Sequence, residues 1–215
     1  MKLLFPLAAA ALFCAATAAN AAIIDVVGGN SSLGTAAAKI AAPADVRDDA
    51  ATNTGQQGFD EKQNVLLGAD LAVDGDTIAA GTRVDSHMIF LNTEGDTLAE
   101  HFRVLWTFSG TILGVMSNVN GSLEANSSAI LGAMGTTYSG ILANRGLENT
   151  GCNMTDGYSV AGATLCLTMR VTEPGDWIRV VTAATPVPLP AGLPLLLAGL
   201  GGIGLLRARK GAKTA

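Results

Sequence analysis

Charged side chains are scarce in this sequence, at 14% of 215 residues, where soluble proteins ordinarily carry about 25%. Aromatic residues make up 5%, and there are two histidines and three cysteines. The paired-histidine helix of the zinc proteases is absent, and no Gly-any-Ser-any-Gly elbow raises a serine nucleophile. No period of about 20 to 50 residues recurs, which argues against a repeat architecture. So little charge would suit a membrane protein, except that the long apolar runs sit only at the two ends. With no catalytic or nucleotide-binding motif, the chain names no activity; what it carries is address information.

Residues 1–21 place Lys2 ahead of an apolar stretch over residues 3–16, followed by Ala19, Asn20 and Ala21. This is the layout of a secretory signal peptide, whose peptidase needs small side chains at the first and third positions before the cut. The expected mature start is Ala22. An uncleaved anchor helix is the alternative, but the apolar region is short for a span. Cys14 follows Phe13, where a lipoprotein signal needs a small residue, so lipidation is set aside.

At the other end, residues 187–206 carry no charge and are followed by Arg207, Arg209 and Lys210. That matches the ~20 apolar residues needed to cross hydrocarbon. Pro194 suits the first turn of a helix, so a transmembrane helix is expected from about residue 193 to 206, weakened by Gly199, Gly201, Gly202 and Gly204. Basic residues beyond it stay cytoplasmic, which puts residues 22–186 across the membrane. A plain single-pass anchor is the alternative reading.

Val187, Pro188, Leu189, Pro190 and Ala191, then a Leu- and Gly-rich helix, then an arginine cluster, resemble the VPLPA variant of the PEP-CTERM sorting signal of Gram-negative bacteria. The resemblance implies a membrane-embedded exosortase that recognises the motif, cuts near it and releases or transfers the exported domain to the cell surface. All five motif positions agree; Ala208 interrupting the basic cluster is a departure from the pattern. Physically, Pro186, Pro188 and Pro190 impose extended backbone on themselves and on the residues before them, the conformation a protease needs. A stiff spacer would use the same prolines.

Five of the 13 basic residues lie in the two end segments and none of the 18 acidic ones does, so the exported part carries eight cations and a net charge near −10. Nucleic acid and anionic lipid are poor partners for it. With Cys14 lost, Cys152 and Cys166 are an even pair in an oxidising compartment and are expected to form one disulfide. Neither has the neighbours of a zinc site.

The body, residues 22–185, is expected to be mainly β, an antiparallel β-sandwich or jelly-roll-like domain. A first strand is expected at the apolar burst Ile23–Val27, a short helix over residues 35–42 ended by Pro43, and a polar loop over 45–58. Beyond Phe59 the period is two: Phe102, Val104, Trp106 and Phe108 alternate with Arg103, Leu105 and Thr107, and Val84, Met88 and Phe90 share one face of a strand over 83–91. Further strands are expected over 65–73, 111–116, 158–160, 165–171 and 177–181. Turn signals separate them, including Asp74 with Gly75, residues 93–96, Asn120 with Gly121, and a type II turn with Pro174 and Gly175 at its centre. Residues 122–133 read as a short helix or a loop, and 135–149 as a surface excursion.

Asp85, Ser86 and His87 contain the residue types of a hydrolase triad, but consecutive strand residues face opposite ways, so Ser86 cannot meet its neighbours. His87 points away from the Met88 face and is expected at the surface; a metal site would need it to meet His101 across strands. Asp70, Asp74 and Asp76 surround a turn and are weak calcium candidates, without the spacing of an EF-hand; solvated turn acids are the simpler reading, as for Asp45, Asp48 and Asp49. Trp106 is expected in the core and Trp177 half exposed, where with Tyr138 and Tyr158 it would suit a sugar-stacking platform.

Together these readings describe a non-enzymatic exported β domain without a cofactor. Its partners would be signal peptidase, the secretion machinery, an exosortase-type protease and, by the resemblance alone, extracellular polysaccharide. Its role would be structural or adhesive. A glycan- or calcium-binding module is the second class. A hydrolase, needing carboxylates from separate strands to converge in a pocket, is the third.

Overall fold

Alternating apolar and polar residues build strands with one buried face, and in this chain the strands assemble into antiparallel sheets. The computed structural model describes residues 22–184 apart from Met154. One sheet has four strands: β1 (Ile23–Val27), β8 (Ala99–Phe108), β11 (Thr164–Val171) and β10 (Gly157–Ala161), hydrogen-bonded in that order and antiparallel throughout. The other runs β2 (Ala38–Lys39), β3 (Gln57–Asp60), β7 (Arg83–Leu91), β12 (Asp176–Ala183), β9 (Ile112–Met116), with β4 (Val65–Leu66) also on β7. Among the described strands only β2 and β3 pair parallel, and an isolated parallel bridge joins Asp45 to Thr137. A hairpin of β5 (Leu71–Val73) and β6 (Asp76–Ile78) and one helix, α1 (Ser122–Leu131), complete the described elements.

The two large sheets share a core. Val104, Trp106, Phe108, Leu165 and Leu167 of the four-stranded sheet interdigitate with Ile89, Leu91, Ile178 and Val180 of the six-stranded one. This is consistent with a β-sandwich. The second sheet is covered on its outer face too: the β5–β6 hairpin and Leu131 of α1 pack on Val84, Met116 and Val181, and Val46 packs with Phe59, Met88, Phe90 and Trp177. Strands β7 and β12 are therefore buried almost end to end, whereas the outer face of the first sheet leaves Leu105 and Val27 exposed.

Several expectations are corrected. Residues 35–42 form no helix; Ala36 bridges to Asn30, and Ala38–Lys39 is the strand β2, satisfied by β3 rather than by its own turn. The run 65–73 breaks into β4 and β5 around a bend at Gly68 and Ala69. Phe102 is exposed instead of sharing the face of Val104, because Arg103 takes φ 55° and three steps on β8, from His101 to Val104, span two on β11. That extra residue is a bulge and flips the alternation. Gly175 is not in the left-handed region, so Pro174 and Gly175 do not form a type II turn. Residues 135–149 are no simple surface excursion, since Arg145 and Leu147 are buried.

Candidate functional site

The sorting residues Val187, Pro188, Leu189, Pro190 and Ala191 and the basic residues Arg207, Arg209 and Lys210 lie outside the described residues, as do both apolar end segments. Among the described residues no helix is long and apolar enough to cross a membrane. Cys152 and Cys166 are joined by a disulfide, with Cα atoms 5.6 Å apart, tying the loop before β10 to the middle of β11.

The turn acids separate rather than converge. Asp74 accepts from the Ser117 amide and hydroxyl and from the Tyr158 hydroxyl, Asp70 from the Ala80 amide, and Asp76 from the Thr77 amide. Each carboxylate fixes a different stretch of backbone. Trp177 is fully buried, correcting the half-exposed expectation, and Trp106 is buried with its indole N–H on Gln56 Oε1 at 2.9 Å. The Tyr138 hydroxyl accepts from the Ala133 amide, and the Tyr158 hydroxyl is engaged by Asp74. No flat aromatic platform is built from these four rings.

His87 is also corrected: it is fully buried. Its face of β7 is opposite Met88, as alternation requires, but that face is the core between the sheets rather than solvent. Nδ1 lies 2.8 Å from Asp60 Oδ1 and Nε2 3.2 Å from Thr182 Oγ1, with the Phe108 ring 4.8 Å away. Asp60 also accepts from the Ile23 amide and pairs with Lys39 at 2.6 Å, so one carboxylate links β1 to β2, β3 and β7. Burial pushes its carboxyl up, but His87 and Lys39 outweigh that and hold it below the ordinary range. Ser86 faces the other way and donates to Glu61 at 2.6 Å, and Asp85 accepts from the Asn64 amide. The three triad types thus serve three different partners. His101 is buried, its Nδ1 accepting from the Gln56 amide and its Nε2 meeting the Gly29 carbonyl.

Two charged constellations escaped the sequence reading. The first is an ion network under α1. Arg179 on β12 grips Glu61 through Nε and Nη2, and its Nη1 donates to the Glu124 carbonyl and Ser127 Oγ. Arg145 pairs with Glu124 and lies 4.9 Å over the Trp177 ring. All four charged residues are buried, so each charge is out of water and must be met by another. Burial pushes the Glu124 carboxyl up against the pull of Arg145 and Arg179. The α1 sequence offers few apolar contacts, with Leu131 its one buried hydrophobe, so these polar contacts hold the helix on the sheet. The legible signal was Arg179 itself, a charge inside the apolar run Trp177, Ile178, Val180 and Val181.

The second is a carboxylate pocket of about 190 Å³ lined by Glu148, Glu173, Asp176, Asn144 and Arg170. Asp156 stands behind it, its Oδ2 accepting from the Glu148 amide and its Oδ1 from the Arg170 amide. Asp156 and Asp176 are each 3% exposed, and Asp176 Oδ2 is buried without a hydrogen-bond partner. Burial, reinforced by Glu148, pushes the Asp156 carboxyl up to about 8; burial, reinforced by Asp156 and Glu148, raises Asp176 well above its ordinary value. At the rim, the hydrogen bond with Asp48 pushes Glu173 up to about 7. Such displaced carboxyls mark a place where like charges are held together. Glu148 and Asp156 stand eight residues apart in the loop before β10, and Asp176 reaches them from the start of β12.

No family model, curated protein or solved structure matches the chain.

Proposed function

We propose that the chain is a non-enzymatic exported protein of a Gram-negative bacterium, carried over the inner membrane by its leader, paused there by its tail and processed by an exosortase-type protease. Its β domain, a β-sandwich in this reading, then serves a structural or adhesive role at the cell surface or in extracellular polysaccharide. The observation that carries the reading is the order of Val187, Pro188, Leu189, Pro190 and Ala191, an uncharged run of membrane length, and Arg207, Arg209 and Lys210. The disulfide between Cys152 and Cys166 supports it, because such bonds persist in oxidising compartments outside the cytoplasm. The tryptophans and histidines of the β domain are committed to the core.

Intact mass of the protein from membrane and medium tests it. The released form is expected to begin near Ala22 and end near Ala191, and Pro188→Ala with Pro190→Ala is expected to make the membrane form accumulate. Unchanged release by that variant, or a full-length 22–215 form stable in the inner membrane, overturns exosortase processing. A glycan- or calcium-binding module, the second class, has to rest on residues other than Trp177 and the 70–76 turn.

A further inference from the structure

Acidic side chains normally spread over a protein surface, where water and salt screen them. Glu148, Asp156 and Asp176 do the opposite. Asp176, the first residue of β12, is 3% exposed, lines the pocket, and holds one carboxylate oxygen fully buried with no donor. Asp156, equally buried, is fixed by the amides of Glu148 and Arg170. Glu148 is exposed at the mouth, and Glu173 adds a fourth carboxylate there. Among the described residues the one cation lining the pocket, Arg170, is already engaged with Glu100 at 2.8 Å. A buried carboxylate oxygen with no partner is a costly group. The described side chains leave this oxygen without a donor, and a bound cation would supply the missing charge.

We propose that Asp176, Asp156 and Glu148 bind a divalent cation of the hard, oxygen-seeking class, namely calcium, in this pocket. All the donors are oxygens, the ligand class calcium takes. The mouth is open at Glu148 and Asn144, so an ion can enter from solvent. As they stand, no three carboxylates, histidines or cysteines among the described residues are placed to hold a metal ion, so the proposal requires the exposed Glu148 side chain to turn inward on binding. Binding would tie the segment before β10, which carries Cys152, to the start of β12. The site is separate from the 70–76 turn, whose acids are spent on backbone amides and hydroxyls. An affinity in the range of ~10⁻⁴ to 10⁻³ M is expected, as for extracellular calcium modules.

The test is calorimetry and thermal unfolding of the full disulfide-bonded chain at pH 7, with calcium chloride alone as the probe against a chelated sample. At about 10 mM calcium the unfolding midpoint is expected to rise by roughly 4 °C. Asp176→Asn is expected to abolish that shift, while Asp76→Asn leaves it unchanged. Should Asp176→Asn not fold, Glu148→Gln at the exposed mouth serves instead, with affinity lowered at least about tenfold. A wild-type midpoint indifferent to calcium, falling only as pH is raised from 5 to 8, means that the cluster is neutralised by protons and overturns the proposal. A calcium shift undiminished in both Asp176→Asn and Glu148→Gln places the ion elsewhere and overturns it equally.

Discussion

Arg179 and Glu61 meet through two parallel hydrogen bonds of 2.7 and 2.8 Å, with both side chains wholly shielded from solvent. Burial lowers the tendency of such a guanidinium to hold its proton, yet Glu61 and Glu124 beside it raise its pKa above the ordinary value. Removing one partner strands the other charge in the interior. Arg179→Met is expected to cost about 3–5 kcal/mol, measured by urea unfolding. Arg179→Met combined with Glu61→Leu is expected to cost clearly less than the two single changes added together, the sign of a coupled pair.

Gly58 on β3 leaves room for Trp106 on the facing sheet. A Cβ at that position would stand 2.6 Å from Trp106 Cζ3 and 3.3 Å from Ile23 Cδ1. Because Trp106 is fully buried and fixed by Gln56, it has little space to retreat. Gly58→Ala is expected to destabilise by about 1–3 kcal/mol, the usual result of overpacking. Gly29→Ala, where nothing lies within 4 Å, is the comparison that isolates the clash.

The disulfide closes a loop with a sequence separation of 14. Loop entropy in the unfolded chain then predicts a loss of about 3 kcal/mol on reduction. Urea unfolding with and without a reductant measures it, and Cys152→Ala with Cys166→Ala is expected to reproduce the reduced protein.

Two groups, the buried His101 and the half-buried Asp60, shape the acid limb of stability. Burial keeps His101 neutral, below its ordinary 6.5, so the unfolded chain takes up that proton more readily and stability is lost as pH falls below 6.5. Asp60 has the opposite chemistry but the same sign. Its lowered pKa gives a contribution that is complete above the ordinary 3.8 and disappears as pH falls through the folded-state value. Urea midpoints between pH 7 and 5 are expected to fall less in His101→Gln than in the unaltered protein. Asp60→Asn is expected to flatten the further decline below pH 4.

Much of the sheet was legible. Strand β7 was expected over the residues it occupies, and β1, β9, β11 and β12 fall within a residue or two of their apolar runs, because β-branched and aromatic residues between turn signals leave few alternatives. The helix expected over 35–42 and the unbroken strand over 65–73 failed on element type and extent; other failures were of faces. Period-two alternation reports two different faces, and a reader takes the more polar one for solvent. His87 broke that inference, since the second face of β7 meets the other sheet. Phe102 broke it differently, through the bulge at Arg103. The carboxylate pocket and the ion network were invisible for a further reason: Glu61 and Arg179 are 118 residues apart in the chain, and proximity at that range belongs to topology alone.

By itself, the sequence determined where the longer strands lie, that Cys152 and Cys166 are the pair to join, and that the long apolar runs are confined to the two ends. These follow from local propensity, counting and hydropathy, all short-range properties. Only the tertiary structure decided that the six-stranded sheet is covered on both faces, and that Glu148, Asp156 and Asp176 crowd into one pocket while the acids at 70–76 disperse. The physical reason is that burial and electrostatics depend on distances through space, which a chain acquires only when its sheets close over one another.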